Sequence, residues 1–155
     1  MNVLLLNPVT RDGRRSLRVG RCQGKVMVGF WPNIEYGYLA ALLAQDGVCA
    51  TILDANLEGL SYRAMLRRVA TAAPDVVFLL SITATLLDDV TLGADVARLV
   101  PGARVVFWGT HATVRPADYL DRVGALVIRG EVELSGRDLC RALSAGATDL
   151  AEVAG

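Results

Sequence analysis

The sequence predicts an α/β domain built on a five-stranded parallel sheet, and three observations favour that class. The 155 residues suffice for one domain, and 53% of them are hydrophobic. No stretch of about 18 residues runs apolar without a charge, so the sequence contains no obvious membrane span. The apolar residues instead fall into short runs that alternate five times with amphipathic segments, which is typical of a parallel sheet covered on both faces.

The predicted strands are short apolar runs, and each ends at a polar residue or in a turn. They cover residues 2–6, 48–53, 76–80, 104–108 and 125–128. The second run ends at Asp54, the third at Ser81 and the fourth at Gly109. Because ligands bind beyond the carboxyl ends of parallel strands, these endings are the first place to look for function.

The predicted helices lie between the strands and carry recognisable stop and start signals. They cover residues 36–45, 61–72, 86–99 and 134–144, with a short helix after Pro116. Gly47 suits a helix C-terminus, Ser61 suits an N-cap, and Pro74 ends the second helix. Five such repeats predict a flavodoxin-like (Rossmann-like) three-layer α/β/α fold with strand order 2-1-3-4-5.

Charge and cysteine content exclude several classes of protein. Sixteen basic and sixteen acidic residues cancel, so no global field attracts nucleic acid or a membrane. The three cysteines are widely spaced and form no CxxC, which argues against a disulfide framework or a zinc site. We therefore expect a cytoplasmic protein, and the apolar start of the sequence predicts a first strand, not a signal peptide.

One long connection interrupts the regular pattern at about residues 9–33. Between Val9 and Lys25 it holds six basic residues against the single acid Asp12, a net charge of +5. Connections of this length are usually functional or disordered. The segment is either a solvated loop, or a flap over a ligand, or a docking surface for another domain; Trp31 packs within it or covers a ligand.

The residues after the first strand exclude the familiar nucleotide folds of this topology. Asn7-Pro8-Val9 contains neither GxGxxG nor GxxxxGK[ST], so a dinucleotide cradle and a Walker phosphate loop are both absent. Asn7, Ser81 and Arg129 also stand where a receiver domain needs acidic residues and a lysine.

Polar residues gather instead after strands three, four and five. Ser81, Thr83 and Thr85 are either a helix cap or donors to amide and phosphate oxygens. Gly109 permits close backbone approach. His111 is the only histidine, and a lone histidine is more often a hydrogen-bonding loop residue than a metal ligand. Glu131 suits a helix N-terminus through the helix dipole.

Taken in order, these pieces resemble the N-terminal cobalamin-binding domain of cobalamin-dependent radical SAM enzymes. The matching segments are Met1 to Pro8, Tyr38 to Leu43 with Gly47, Asp54, Pro74 to Val77 leading into Ser81-Ile82-Thr83, Gly109-Thr110-His111-Ala112-Thr113, and Arg129-Gly130-Glu131-Val132-Glu133. The family usually has Gly-Gly-Pro-His-Ala-Thr at the fourth strand end, so Thr110 departs from it. DxHxxG, whose histidine binds cobalt in other cobalamin proteins, is absent, as it generally is in radical SAM relatives.

The resemblance implies a cobalamin bound base-off across the carboxyl ends of the strands, with no cobalt ligand from the DxHxxG histidine. The residues it implies for the cofactor are Asn7, Pro8, Val9, Ser81, Ile82, Thr83, Thr85, Gly109, Thr110, His111, Arg129, Gly130 and Glu131. The radical SAM CxxxCxxC motif is missing. SAM and the 4Fe-4S cluster are therefore expected in a separate catalytic domain, in cis or in trans, and no catalytic residue is expected here.

Two functions remain open at the level of the sequence. The first is a cofactor-carrying module of a radical SAM methyltransferase or related enzyme. The second is a flavodoxin-like interaction or sensor domain that has lost cofactor binding, which the missing DxHxxG and the residue Thr110 would favour.

Overall fold

The computed structural model describes residues 1–14, 16, 18, 32–121, 125–150 and 153, and in them it shows a five-stranded parallel sheet. The strand order β2-β1-β3-β4-β5 confirms the predicted topology. The strands are β1 (Asn2–Asn7), β2 (Cys49–Asp54), β3 (Val76–Leu80), β4 (Arg104–Trp108) and β5 (Ala125–Val127). Two of the predicted strands have the observed bounds, and the other three differ by one residue at one or both ends.

Six α-helices occur in the described residues, together with a single 3₁₀ turn, Thr83–Thr85. They are α1 (Ile34–Gln45), α2 (Tyr62–Ala72), α3 (Leu86–Leu99), α4 (Thr110–Val114), α5 (Ala117–Leu120) and α6 (Val132–Ser144). Ser61 caps α2 by accepting a hydrogen bond from Ala64 N–H at 3.2 Å, as the sequence predicts. Gly47 has a positive φ of 71° just after α1, as expected of a helix stop.

Helix α4 is the element that the sequence pattern does not predict. Residues 110–114 were expected to continue the loop after β4, but Thr113 N–H donates to the Gly109 carbonyl at 3.0 Å and Arg115 N–H to the His111 carbonyl at 2.8 Å. A helix of five residues is too short to show a hydrophobic period. Its presence places Thr110 and His111 at the start of a helix at the end of β4.

The apolar residues bury both faces of the sheet, as the composition predicts. All five residues of β3 are buried. On one face Met65 and Val96 belong to a cluster formed with α2 and α3, and on the other face Leu39 and Leu139 belong to a cluster formed with α1 and α6. This arrangement leaves the carboxyl edge of the sheet as the place where polar side chains collect.

Tyr36 of α1 closes the carboxyl edge between β1 and β3, where the strand order reverses. Its fully buried hydroxyl donates to the Leu6 carbonyl at 2.8 Å and accepts from the Leu80 N–H at 3.0 Å. Burial raises the pKa of this phenol above its ordinary value, so the hydroxyl stays protonated. The two neighbouring strand ends are thus joined by a side chain from the helical layer.

Within the described residues, no helix combines the length and the apolar character needed to cross a membrane.

Candidate functional site

The candidate site lies at the carboxyl edge, where the parallel sheet brings together the ends of β1, β3, β4 and β5. The sequence-predicted site residues divide into two groups by exposure. Those that present surface to solvent are Thr83, Thr110, Arg129, Gly130 and Glu131. Those that the protein buries are Asn7, Pro8, Val9, Ser81, Ile82, Thr85, Gly109 and His111.

The segment after β1 is held by a small amide and carboxylate network. Asn7 donates through Nδ2 to Asp54 Oδ2 at 3.1 Å and accepts from Asn56 Nδ2 at 3.2 Å. The same Asn56 nitrogen donates to the Pro8 carbonyl at 2.7 Å, and Val9 is part of the apolar core. The side chains of Asn7 and Val9 therefore stabilise the turn itself, and their predicted position beneath a ring stays a prediction.

Asp89 holds the segment after β3 in place through hydrogen bonds, and it is not among the site residues predicted from the sequence. Its carboxylate is 1% exposed and accepts from Ser81 Oγ at 2.7 Å and from Thr85 Oγ1 at 2.6 Å. Burial raises its pKa, while the guanidinium of Arg18 and the two hydroxyls act in the opposite direction. Ser81, Thr85 and Asp89 are spaced by four residues, which is the one sequence signal that could have connected them.

Arg18 reaches this buried carboxylate from the long connection after β1. Its Nη1 donates to Asp89 Oδ1 at 2.5 Å, to Thr85 Oγ1 at 2.9 Å and to the Leu80 carbonyl at 3.0 Å. In the part of the chain that the structure describes, Nε and Nη2 of the same guanidinium are buried without a partner. Nothing in the sequence distinguishes Arg18 from the other basic residues around it.

The basic side chains of the long connection are therefore not all exposed to solvent. Arg14 forms an exposed ion pair with Asp12 at 2.8 Å, whereas Arg18 is 4% exposed. Arg15, Arg21, Lys25 and Trp31 lie outside the described residues, so the predicted packing or ligand contact of Trp31 stays a prediction.

Tyr119 completes the environment of Ser81. The two hydroxyl oxygens are 2.8 Å apart, and the Tyr119 ring packs on Phe107 with centroids 4.6 Å apart. Burial raises the pKa of Tyr119 to about 12. The Ser81 hydroxyl thus has both a carboxylate and a phenol as partners inside the protein.

His111 links the end of β3 to α5 through both of its ring nitrogens. Nδ1 lies 3.0 Å from Thr83 Oγ1, and Nε2 lies 2.9 Å from Asp118 Oδ2. The hydrogen bond with His111 lowers the pKa of Asp118. In this arrangement the imidazole holds loops together, and neither nitrogen is free to bind a metal.

The ends of β4 and β5 meet through Gly109 and Thr113. Thr113 Oγ1 donates to the Gly109 carbonyl at 2.9 Å and accepts from the Gly130 N–H at the same distance. Arg129 Nε also donates to the Thr113 carbonyl, at 3.3 Å. Thr113 was part of the matched motif but was not predicted as a site residue, and its side chain joins the segments that follow the two strands.

Gly109 is required by the protein's own packing. Its φ is 108°, and a Cβ built on it would lie 2.7 Å from the Ser81 carbonyl oxygen and 2.6 Å from Leu80 Cδ1. The glycine thus allows the backbone after β4 to approach the backbone after β3. In the direction of a Cβ, Gly109 thus faces the neighbouring strand end, and its predicted close approach to a ligand stays a prediction.

The described residues contain no group of three or more His, Cys, Asp or Glu side chains that could hold a metal ion. The polar groups at the edge include hydroxyls, backbone amides, the guanidinium groups of Arg18 and Arg129, the imidazole of His111 and the carboxylate of Glu131, while the carboxylate of Asp89 is buried. Such a set can bind a ligand rich in amide groups but does not itself provide a cation site.

The fold is that of a flavodoxin-like α/β domain, and the carboxyl edge of its sheet is the candidate site. The model of the B12 binding domain family matches residues 20–139, and the chain belongs to that family. The predicted membership in a cobalamin-binding family is thereby confirmed.

Two solved structures of the radical S-adenosylmethionine methyltransferase TsrM from Kitasatospora setae share the fold. One contains cobalamin and a [4Fe-4S] cluster and matches with a TM-score of 0.73 at 20% sequence identity. The other contains a tryptophan substrate and a SAM analogue and matches with a TM-score of 0.71 at 18% identity. Each match covers 98% of this chain but only 26% and 27% of the TsrM chain. No curated protein matches the sequence.

Proposed function

We propose that this chain binds cobalamin at the carboxyl edge of its sheet and acts in the cytoplasm as the cofactor-carrying module of a radical SAM methyltransferase or related enzyme. Membership in the B12 binding domain family is the observation that carries the proposal. The fold shared with TsrM, itself a radical SAM methyltransferase, supports the enzyme context. SAM and the 4Fe-4S cluster would bind to a catalytic domain that acts on this one in cis or in trans.

The exposed groups of the edge fit the periphery of a corrin. Cobalamin is a flat macrocycle with amide arms, which need both donors and acceptors at the rim. Thr83 and Thr110 are exposed residues with hydroxyl groups, that of Thr83 also bonded to His111 Nδ1. Arg129 and Gly130 beside them are exposed as well. In this proposal these four residues hold the corrin amides or the nucleotide tail, while Glu131 flanks the tail.

The buried members of the site would act on cobalamin through the backbone they position. Ser81 and Thr85 fix the turn that carries Ile82 and Thr83. Asn7 accepts a hydrogen bond from Asn56, which also donates to the Pro8 carbonyl. This division assigns contact to the exposed residues and positioning to the buried ones.

The surroundings of His111 support a cofactor without an imidazole ligand from this residue, and the base-off state is part of the same proposal. Both ring nitrogens already have partners, and the described residues contain no group of three or more His, Cys, Asp or Glu side chains that could hold a metal ion. When bound, cobalamin supplies a cobalt centre that accepts and donates a methyl group. This chain would bind and orient it, and the domain alone would show no turnover.

The test is retention of hydroxocobalamin by the purified protein. After mixing and desalting, we expect corrin absorbance to remain with the protein and to have the spectrum of the base-off form. A base-on spectrum would contradict the base-off binding mode. Loss of all corrin absorbance would instead favour an interaction or sensor domain without cofactor, an alternative supported by the engagement of Ser81 with Asp89 and Tyr119.

A matched pair of threonine variants tests the location of the site. Thr83 is exposed at the carboxyl edge, and Thr148 is exposed beyond the end of α6 at the opposite edge. Loss of one hydrogen bond to the ligand should weaken cobalamin binding by about 2- to 10-fold in Thr83→Ala. Thr148→Ala should bind as the wild type does, and equal affinities in both variants would remove Thr83 from the site.

A further inference from the structure

Thr83, His111 and Asp118 form a row of hydrogen bonds that leads from the carboxyl edge to α5. Thr83 Oγ1 lies 3.0 Å from His111 Nδ1, and His111 Nε2 lies 2.9 Å from Asp118 Oδ2. Thr83 is exposed, whereas the imidazole is buried. Of the three residues, Thr83 is thus the one that lies where we place cobalamin.

The surroundings of the imidazole hold it in one orientation. Its ring packs edge-on against the ring of Tyr119, with centroids 5.8 Å apart, and Tyr119 is itself fully buried and bonded to Ser81. Turning the ring over would place carbon atoms where the two nitrogens now meet their partners, so both hydrogen bonds would be lost. Nδ1 therefore faces Thr83, and Nε2 faces Asp118.

Asp118 sets which ring nitrogen carries the hydrogen. The hydrogen bond with His111 lowers the pKa of Asp118, so this carboxylate is ionised at neutral pH and can only accept. Nε2 must therefore be the donor. In a neutral imidazole the other nitrogen then has no hydrogen, and the Thr83 hydroxyl has to donate to Nδ1. Because that hydrogen is used inside the protein, the hydroxyl offers a ligand only its oxygen lone pair.

We propose that Asp118 and His111 are positioning residues that make Thr83 a hydrogen-bond acceptor, so that Thr83 binds the amide N–H of a corrin side arm and disfavours a carboxylate or a phosphate. The identity of the ligand group rests on the proposed function. The directions of the hydrogen bonds do not, because they follow from contacts within the protein. The two parts can therefore be tested separately.

The first experiment determines the hydrogen-bond directions without a ligand. His111 is the only histidine in the chain, so protein labelled with nitrogen-15 histidine contains a single labelled imidazole. A long-range proton–nitrogen NMR spectrum at pH 8 distinguishes the Nε2–H tautomer, the Nδ1–H tautomer and the imidazolium. We expect the Nε2–H tautomer in the wild type. Either of the other two forms would overturn the proposed directions.

The variant Asp118→Asn should reverse these directions. Oδ1 of Asp118 faces Arg115 Nη2 at 3.4 Å, while Oδ2 faces His111. Because a guanidinium can only donate, it keeps the carbonyl oxygen of the new side chain on its own side, and the NH₂ group then faces Nε2. The ring hydrogen moves to Nδ1 and is donated to Thr83, whose own hydrogen becomes available to a ligand.

The control Asp121→Asn removes the same charge at the C-terminal end of α5. It should keep the Nε2–H tautomer, since Asp121 is a partner of neither ring nitrogen. If Asp118→Asn also keeps the Nε2–H tautomer, Asp118 does not set the direction, and the proposal fails.

The second experiment determines which ligand group Thr83 binds. Absorbance titration gives the dissociation constants of hydroxocobalamin and of its monocarboxylates, in each of which one side-arm amide is hydrolysed to an acid. A carboxylate opposite the Thr83 oxygen has no hydrogen to donate and repels it. We therefore expect one of these monocarboxylates to bind the wild type about tenfold or more weakly than hydroxocobalamin. In Asp118→Asn this difference should fall to about threefold or less, and in Asp121→Asn it should persist.

Equal binding of every monocarboxylate by the wild type, or an unchanged difference in Asp118→Asn, would overturn the assignment of Thr83 to an amide. A wild-type protein that binds no hydroxocobalamin would refute the proposed function, and the ligand assignment with it. The histidine spectrum would still decide the hydrogen-bond directions, because it needs no cofactor.

Discussion

Replacing Gly109 with alanine should strongly destabilise the domain, whether or not cobalamin is present. Gly109 has φ 108° and ψ −173°, a backbone conformation that is essentially restricted to glycine. A residue with a Cβ is strained there by about 1–3 kcal/mol. The added Cβ would also lie 2.7 Å from the carbonyl oxygen of Ser81, a backbone atom that cannot rotate away as a side chain does.

The magnitude follows from three contributions. Backbone strain of about 1–3 kcal/mol and overpacking of about 1–3 kcal/mol oppose the variant. The lower entropy of an unfolded alanine returns about 0.4–1 kcal/mol. We therefore expect the free energy of unfolding to fall by about 2–4 kcal/mol. For a chain of this size, a loss near the middle of that range lowers Tm by about 6–12 °C.

Urea denaturation of Gly109→Ala and of the control Gly102→Ala separates strain from overlap. Gly102 also has a positive φ, 93°, but a Cβ built on it would meet no atom within 4 Å. The control should therefore lose only about 1 kcal/mol. Equal losses in the two variants would refute the argument that Gly109 serves the contact between the β3 and β4 ends.

Three further predictions concern the helices and one buried thiol. Ser61→Ala should lower the free energy of unfolding, measured by urea denaturation, by about 1 kcal/mol because the α2 cap is lost. An unchanged urea midpoint would show that the hydrogen bond of the cap does not stabilise the protein. Burial raises the pKa of Cys140 to about 12, so iodoacetamide at pH 8 should label the exposed Cys49 of the folded protein well before Cys140. Mass spectrometry of the labelled peptides gives the two rates, and equal rates would contradict the prediction. The hydrogen bond from Arg141 lowers the pKa of Asp46 below its value in the unfolded chain. The pair therefore stabilises the fold at neutral pH, and this stabilisation is lost as the pH falls through the lowered pKa. The stability difference between the wild type and Arg141→Ala should accordingly shrink between pH 7 and pH 2, and a constant difference would argue against the pair.

The strands could be predicted from the sequence because their burial on both faces is a local signal. Val76–Leu80 and Arg104–Trp108 are short apolar runs with turn residues at their ends, and their observed bounds match the predicted ones. Helix α4 could not be predicted in the same way. It depends on the backbone conformation of Gly109 and on contacts made from His111 to Asp118 and from Thr113 to Gly130.

The candidate site shows the same division between local and distant signals. The sequence predicted that Thr83 and His111 follow adjacent strands of one edge, and their side chains are indeed in contact at 3.0 Å. It did not reveal Arg18 or Asp89, because a pairing between residues 71 positions apart leaves no periodic pattern. Asp89 resembles an ordinary acidic residue in the first turn of a helix, and only the fold shows that its carboxylate is buried.

Leu80 is the last residue of the central strand β3, and the hydrogen bonds of its backbone connect folding to the candidate site. Leu80 obtains a partner for its N–H from Tyr36, 44 residues earlier, and one for its carbonyl from Arg18, 62 residues earlier. These two backbone groups therefore obtain their partners only when the side chains of Tyr36 and Arg18 have docked. We expect the docking of these two side chains to complete the edge at which we propose that cobalamin binds, so that a ligand bound there would also slow the unfolding of that edge.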